Sequence, residues 1–196
     1  MKLKSHLIAS LCLVGIALLP AYAYDVPKAT LPLVIYDEGD NANTAAYVPS
    51  GYEGNTQALS LDPDCVTMPH SGHTCLKVQY NAPTNWGGVV WQSPANDWGD
   101  KPGGWNLLGA KKLVFYARGE TGSEVVSFSF GVLGADKTYH DTASGTLDKV
   151  PLSVAWKRYT IDLSNKDLSC IKTGFAFAVA GNGSPVTFYL DDIKYE

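Results

Sequence analysis

From residue 31 to the C-terminus, apolar side chains recur at every second position, and no helix-length window shows them at every third or fourth. A chain patterned this way buries one face of strands and has no amphipathic helix with which to build a core. The clearest stretch is residues 125–132, where Val126, Phe128, Phe130 and Val132 alternate with Ser127, Ser129 and Gly131. Residues 111–118, 156–163 and 173–180 alternate equally well, and shorter strand patterns fall at 31–36, 56–61, 74–80 and 87–92. Residues 96–108 and 133–149 read as long loops, and a single helical turn is expected near Asp167 and Leu168. With Gly-, Pro- and Asn-rich turns between them, about ten short strands predict an all-β antiparallel sandwich or jelly roll with no long helix.

The last strand, residues 185–196 (PVTFYLDDIKYE), changes phase. Val186, Phe188 and Leu190 share one face, as do Ile193 and Tyr195, but the two sets are offset by one residue at Asp191 and Asp192. A β-bulge produces such a slip and re-aims the side chains at it. A strand that frays after Leu190 would instead leave both aspartates in water.

The first 23 of the 196 residues carry a basic start (Lys2, Lys4), an apolar run and the small-residue pattern Ala21-Tyr22-Ala23. They read as a secretory leader, too short for a membrane span, with a short tether over 24–30 and a single domain over 31–196. Cleavage would leave 196 − 23 = 173 residues, with 15 − 2 = 13 basic and 19 acidic side chains, a balance of −6. That charge, with no basic cluster, argues against nucleic acid and against an anionic membrane surface as partners, and a secreted monomer is expected. In an oxidising compartment Cys65 and Cys75 are the natural disulfide, with Cys170 as a buried thiol. His70 and His73 lie between the pair, so a zinc knuckle is the alternative.

The strand faces turned from the core are small at Ser127, Ser129, Gly131, Ala176 and Ala178, and large at Tyr116 and Arg118. Were those strands neighbours, the sheet would carry a shallow trough able to admit a polymer chain. Four of the five tryptophans fall between residues 86 and 105, three of them beside Gly or Asn. Exposed aromatic rings stack on the apolar faces of sugars while polar neighbours bond the hydroxyls, which makes Trp86, Trp91 and Trp98 ligand candidates. Trp105 and Trp156 read instead as caps on the sandwich.

Taken in order, WGGVVW, KLVFYARG, WKRYTIDLS, GFAFAV and FYLDDIKYE resemble the galactose-binding-like jelly-roll carbohydrate-binding modules of secreted glycanases, over most of the mature chain. The resemblance implies polysaccharide or oligosaccharide binding on a concave sheet and its rim, here Tyr116 and Arg118 with Tyr139, His140 and Asp141. It also implies a structural calcium held between the first and last strands, by Asp37 or Glu38 with Asp191 or Asp192, oxygen ligands suited to that ion. No catalytic domain is expected beside the module within residues 31–196.

An enzyme of this kind needs a carboxylate pair or an activated nucleophile. Glutamates 38, 53, 120, 124 and 196 form no alternate-position pair, and neither a G-x-S-x-G nor an H-E-x-x-H motif occurs. Tyr139, His140 and Asp141 leave a polysaccharide lyase or hydrolase as one alternative, and a protein-binding or matrix module is the other.

Overall fold

The computed structural model describes residues 24–39 and 46–196. The leader and part of the acidic turn, Asp40 and Asn41, lie outside those residues. The described chain is all-β: β1 (Leu33–Tyr36), β2 (Val48–Gly54), β3 (Leu59–Cys65), β4 (Cys75–Tyr80), β5 (Trp86–Gln92), β6 (Lys112–Gly119), β7 (Val125–Phe130), β8 (Gly145–Pro151), β9 (Lys157–Asp162), β10 (Thr173–Ala180) and β11 (Val186–Tyr195). One 3-10 turn, Thr56–Ala58, stands where the start of a strand was expected. The expected helical turn near Asp167 does not form, and among the described residues no helix is long and apolar enough to cross a membrane.

Two antiparallel sheets face each other. One runs β3-β4-β11-β6-β9, with β1 also paired to β11; the other runs β2-β5-β10-β7-β8. Between them Phe115 meets Phe128 at 4.7 Å and Phe175 at 5.3 Å, and Phe177 meets Phe188 edge-on at 5.2 Å. These are the inward residues that the period of two selects, and burying rings in such pairs adds to the area they remove from water.

The phase slip in the last strand is a bulge. Pairing of β11 with β6 shifts between Asp191 and Lys194, and Asp192 sits at φ 49°, the left-handed region that Asp tolerates better than most residues.

The strands β2 and β8 fall where turns or loops were expected. Both are edges of the second sheet. Pro49 sits in β2 next to a register shift at Pro49/Gly51, an arrangement that only an edge strand accepts readily. The segment 24–30 is tied to the body: the amide of Asn106 donates to Pro27 O at 2.9 Å, and Tyr24 Oη–H donates to Gly103 O at 2.7 Å.

Candidate functional site

Because Phe175, Phe177 and Val179 point inward, Ala176, Ala178 and Ala180 of β10 face outward. Ala176 lies opposite Ser129 and Val90, Ala178 opposite Ser127 and Gly88, and Ala180 opposite Trp86. The small residues singled out in the sequence are thus laid side by side, joined by Gly88. Gly131 lies past the end of β7.

Trp86 opens β5 and is 47% exposed. Its backbone is pinned from β2: the amide of Asn55 donates to Trp86 O at 2.8 Å, and a Cβ on Gly54 (φ +70°) would come within 2.4 Å of the same oxygen. Only glycine permits that approach. Beside the ring lies a depression of about 410 Å³ bordered by Ser127, Lys149, Ala178, Ala180 and Asn182. Ser127 Oγ–H donates to Asp148 Oδ1 at 2.7 Å and accepts the Lys149 amide at 3.0 Å, which fixes the β8 rim. An exposed indole lies at the edge of a floor of small groups, with hydroxyl, ammonium and amide groups around it, a lining of mixed apolar and polar character.

The opposite end of this face is closed. Val90, Gln92 and Ala176 are buried. Gln92 Nε2–H donates to Asp97 O at 2.8 Å, and the half-buried Trp98 ring lies where a Cβ on Gly51 would meet it at 3.0 Å. Trp98 is therefore a wall of the trough and Trp86 its open platform.

The other expected ligand residues are elsewhere. Trp91 is a correction: five positions from Trp86, it projects from the opposite face of β5, is 2% exposed, and meets Phe175 edge-on at 5.4 Å in the core. Tyr116 and Arg118 are on β6, in the other sheet, and do not border the trough. Tyr116 is stacked under His70, with ring centres 3.5 Å apart. Arg118 is buried against Tyr189, 3.7 Å from its ring centre, and donates to Thr67 O at 3.1 Å. Residues 66–74 cover both, and Trp156 joins that cover through Nε1–H to Met68 O at 2.9 Å.

Asp141 is also buried, accepting the amides of Leu133 (2.9 Å), Lys172 (2.5 Å) and Thr173 (3.0 Å) and the Thr173 hydroxyl (2.5 Å). Burial pushes its carboxyl up despite those donors. It anchors the start of β10 rather than meeting a ligand. Tyr139 lies edge-on to Tyr24 at 5.5 Å, with Lys172 Nζ 5.5 Å from its ring centre, and His140 Nδ1 lies 3.2 Å from Lys137 O.

The four carboxylates expected to hold calcium do not form an oxygen cage. Glu38 accepts the amides of His73 (2.8 Å) and Thr74 (3.1 Å) and the Thr74 hydroxyl (2.9 Å). Asp191 accepts the amides of His70 (2.8 Å) and Ser71 (3.3 Å), and its carboxyl is pushed up to about 6, chiefly by burial. Asp192 lies 2.7 Å from His70 Nδ1 and accepts the Ser71 hydroxyl at 3.1 Å, while Asp37 accepts the Glu38 amide at 2.8 Å. Among the described residues no three His, Cys, Asp or Glu side chains are placed to hold a metal ion. The donor set does not fit calcium as it stands, since oxygens of Glu38, Asp191 and Asp192 are turned to residues 70–74, and an oxygen of Asp37 and another of Asp191 meet the amides of Glu38 and Asp192. A zinc knuckle fits no better, because the His70 ring is held between Tyr116 and Asp192.

Cys65 and Cys75 are directly opposite on β3 and β4, both buried, and packed with Tyr189. They stand as two free thiols, as does Cys170. Burial first, then the nearby Cys65, pushes the Cys75 thiol up to about 12.

Sequence reasoning missed Lys149 and Asn182, which border the depression. Lys149 lay hidden in an edge strand taken for a loop, and Asn182 in a turn.

No protein-family model matches the chain, and no curated protein sequence matches it. Solved structures do. A family 30 carbohydrate-binding module superimposes with a TM-score of 0.55 at 15% identity, covering 85% of this chain and 99% of that one. The family 30 module of a cellulosomal cellulase of Clostridium thermocellum gives a TM-score of 0.54 at 16% identity, covering 85% and 98%. The family 11 module of another cellulosomal cellulase of that organism gives 0.53 at 16%, covering 88% and 95%. The chain has the β-sandwich fold of carbohydrate-binding modules.

Proposed function

We propose that this protein is an exported, non-catalytic polysaccharide-binding module whose platform is Trp86 and whose floor is Gly88, Ala178 and Ser127. The observation that carries the reading is the open half of the outer face of the second sheet, where an exposed indole on a pinned backbone stands beside a floor too small to obstruct a sugar ring. Stacking one face of a pyranose on the indole buries apolar area, and Asn182, Ser127 and Lys149 offer donors and acceptors to its hydroxyls. No carboxylate is in the lining of this depression among the described residues, and Asp148 on its β8 rim is engaged by the Ser127 hydroxyl.

The shared fold supports the reading without deciding it, because one fold hosts many functions. Export follows from the leader pattern, and in an oxidising compartment the opposed thiols of Cys65 and Cys75 join as a disulfide. Affinity electrophoresis against a panel of neutral and acidic polysaccharides tests the function. Retardation by at least one polymer, abolished by Trp86→Ala, is the expected result; no retardation by any of them refutes it.

A further inference from the structure

At the end of the sandwich next to Trp86, the turn between β6 and β7 and the turn between β10 and β11 enclose a second cleft, of about 400 Å³. It is contiguous with the depression beside Trp86: Val125, Ala180 and Asn182 line both. The linings differ in chemistry. Beside Trp86 the surface is an indole with small apolar groups, whereas the second cleft presents Glu120, Thr121, Ser123, Glu124, Asn182 and Ser184. Glu124 is already engaged, accepting the amides of Thr121 (2.7 Å) and Gly122 (2.9 Å). One oxygen of Glu120 accepts the Tyr189 hydroxyl at 2.6 Å. Glu120 Oε1 and the side chains of Asn182 and Ser184 remain as acceptors and donors facing the cleft.

We infer that this cleft is a second saccharide subsite, taking the sugar next to the one stacked on Trp86, and that it selects an uncharged sugar over a uronic acid. This rests on the proposed function. A hexose ring needs an apolar face and a ring of hydroxyl partners, and the two adjoining cavities supply them in turn. The selection follows from charge: two glutamates and no cation line the cleft, so a sugar carboxylate entering it meets like charge, whereas hydroxyl groups donate to Glu120.

The test is affinity electrophoresis of the wild type, Trp86→Ala, Asn182→Ala and Glu120→Gln against neutral glucan, xylan, mannan and galactan and against polygalacturonate, with melting temperatures as a folding control. Asn182 is an exposed turn residue, so its variant stays informative should Glu120→Gln disturb the Tyr189 contact. The expected result is retention by a neutral polymer, about fivefold weaker in Asn182→Ala, as one lost hydrogen bond implies, weakened also in Glu120→Gln, where a charged acceptor becomes a neutral one, and lost in Trp86→Ala. Folded cleft variants that bind as wild type overturn the subsite while leaving the Trp86 platform standing. Polygalacturonate held more tightly than every neutral polymer overturns the selectivity. Retention of the wild type by none of the polymers removes the platform and the subsite together.

Discussion

Trp86 and Trp91 project from opposite faces of one strand, the first 47% exposed and the second 2% exposed. The same residue type, five positions apart, therefore serves solvent and core. Trp91→Ala should destabilise the fold by about 3–5 kcal/mol through the cavity it leaves, whereas Trp86→Ala should shift stability by about 0.5 kcal/mol or less. Urea melts of the two variants check this; equal losses would contradict the assignment of faces.

The floor beside Trp86 works by being small. Ala178→Trp places a large side chain on an exposed outward position of β10 without touching the core. It should abolish polysaccharide retention while leaving the urea midpoint close to wild type. Undiminished retention would put the ligand elsewhere.

The cross-strand thiols predict an oxidised protein after export. Intact mass should show Cys65 and Cys75 joined and Cys170 free. Closing a loop of this length should add roughly 2–3 kcal/mol in the chain-entropy model, lost on reduction. A protein exported with both thiols free would refute the pairing.

Lys172 and Asp97 form a buried ion pair, Nζ to Oδ2 2.5 Å, with side chains 1% and 2% exposed. Lys172 also donates to Lys101 O. Removing only the carboxylate strands a buried ammonium, so Asp97→Ala should cost about 3–5 kcal/mol by urea melt. A loss below 1 kcal/mol, well under that range, would mean that the ammonium finds other partners or water.

Acid should loosen the turn after β6. Burial raises the Glu124 carboxyl, but the amides of Thr121 and Gly122 and the Thr121 hydroxyl outweigh it, and the net shift is downward. A carboxyl lowered in the folded state stabilises above its ordinary value of about 4.3 and loses that contribution as pH falls through its folded value. Glu124→Gln should therefore show a flatter stability profile than wild type below about pH 4.3; parallel profiles would contradict the shift.

The fold was legible wherever a strand is central, because a central strand must alternate without interruption: β4, β5, β6, β7, β10 and β11 were readable, as was the regular edge strand β9, and so was the bulge at Asp191 and Asp192. The strands β2 and β8 were not. Edge strands need pair on one side only, so Pro49, Gly51 and the bulge near Lys149 interrupt their patterns at little cost. The site was half legible for the same reason. Alternation within β7 and β10 placed the small residues on one face, but nothing local to β6 says that Tyr116 and Arg118 belong to the other sheet. Side-chain class also misled at the acidic pairs. Glu38 and Asp191 look like metal ligands in sequence, yet Glu38 accepts the amides of His73 and Thr74, more than thirty positions away, and Asp191 accepts, besides that of Asp192, the amides of His70 and Ser71, more than a hundred positions away.

The central claim is that Trp86 is the sugar-binding platform. Affinity electrophoresis of wild type and Trp86→Ala, in gels containing the neutral polysaccharide that most retards the wild type, tests it most directly. The account predicts that Trp86→Ala runs as it does in a polysaccharide-free gel while retaining the wild-type melting temperature. A folded Trp86→Ala retarded as strongly as wild type would contradict it.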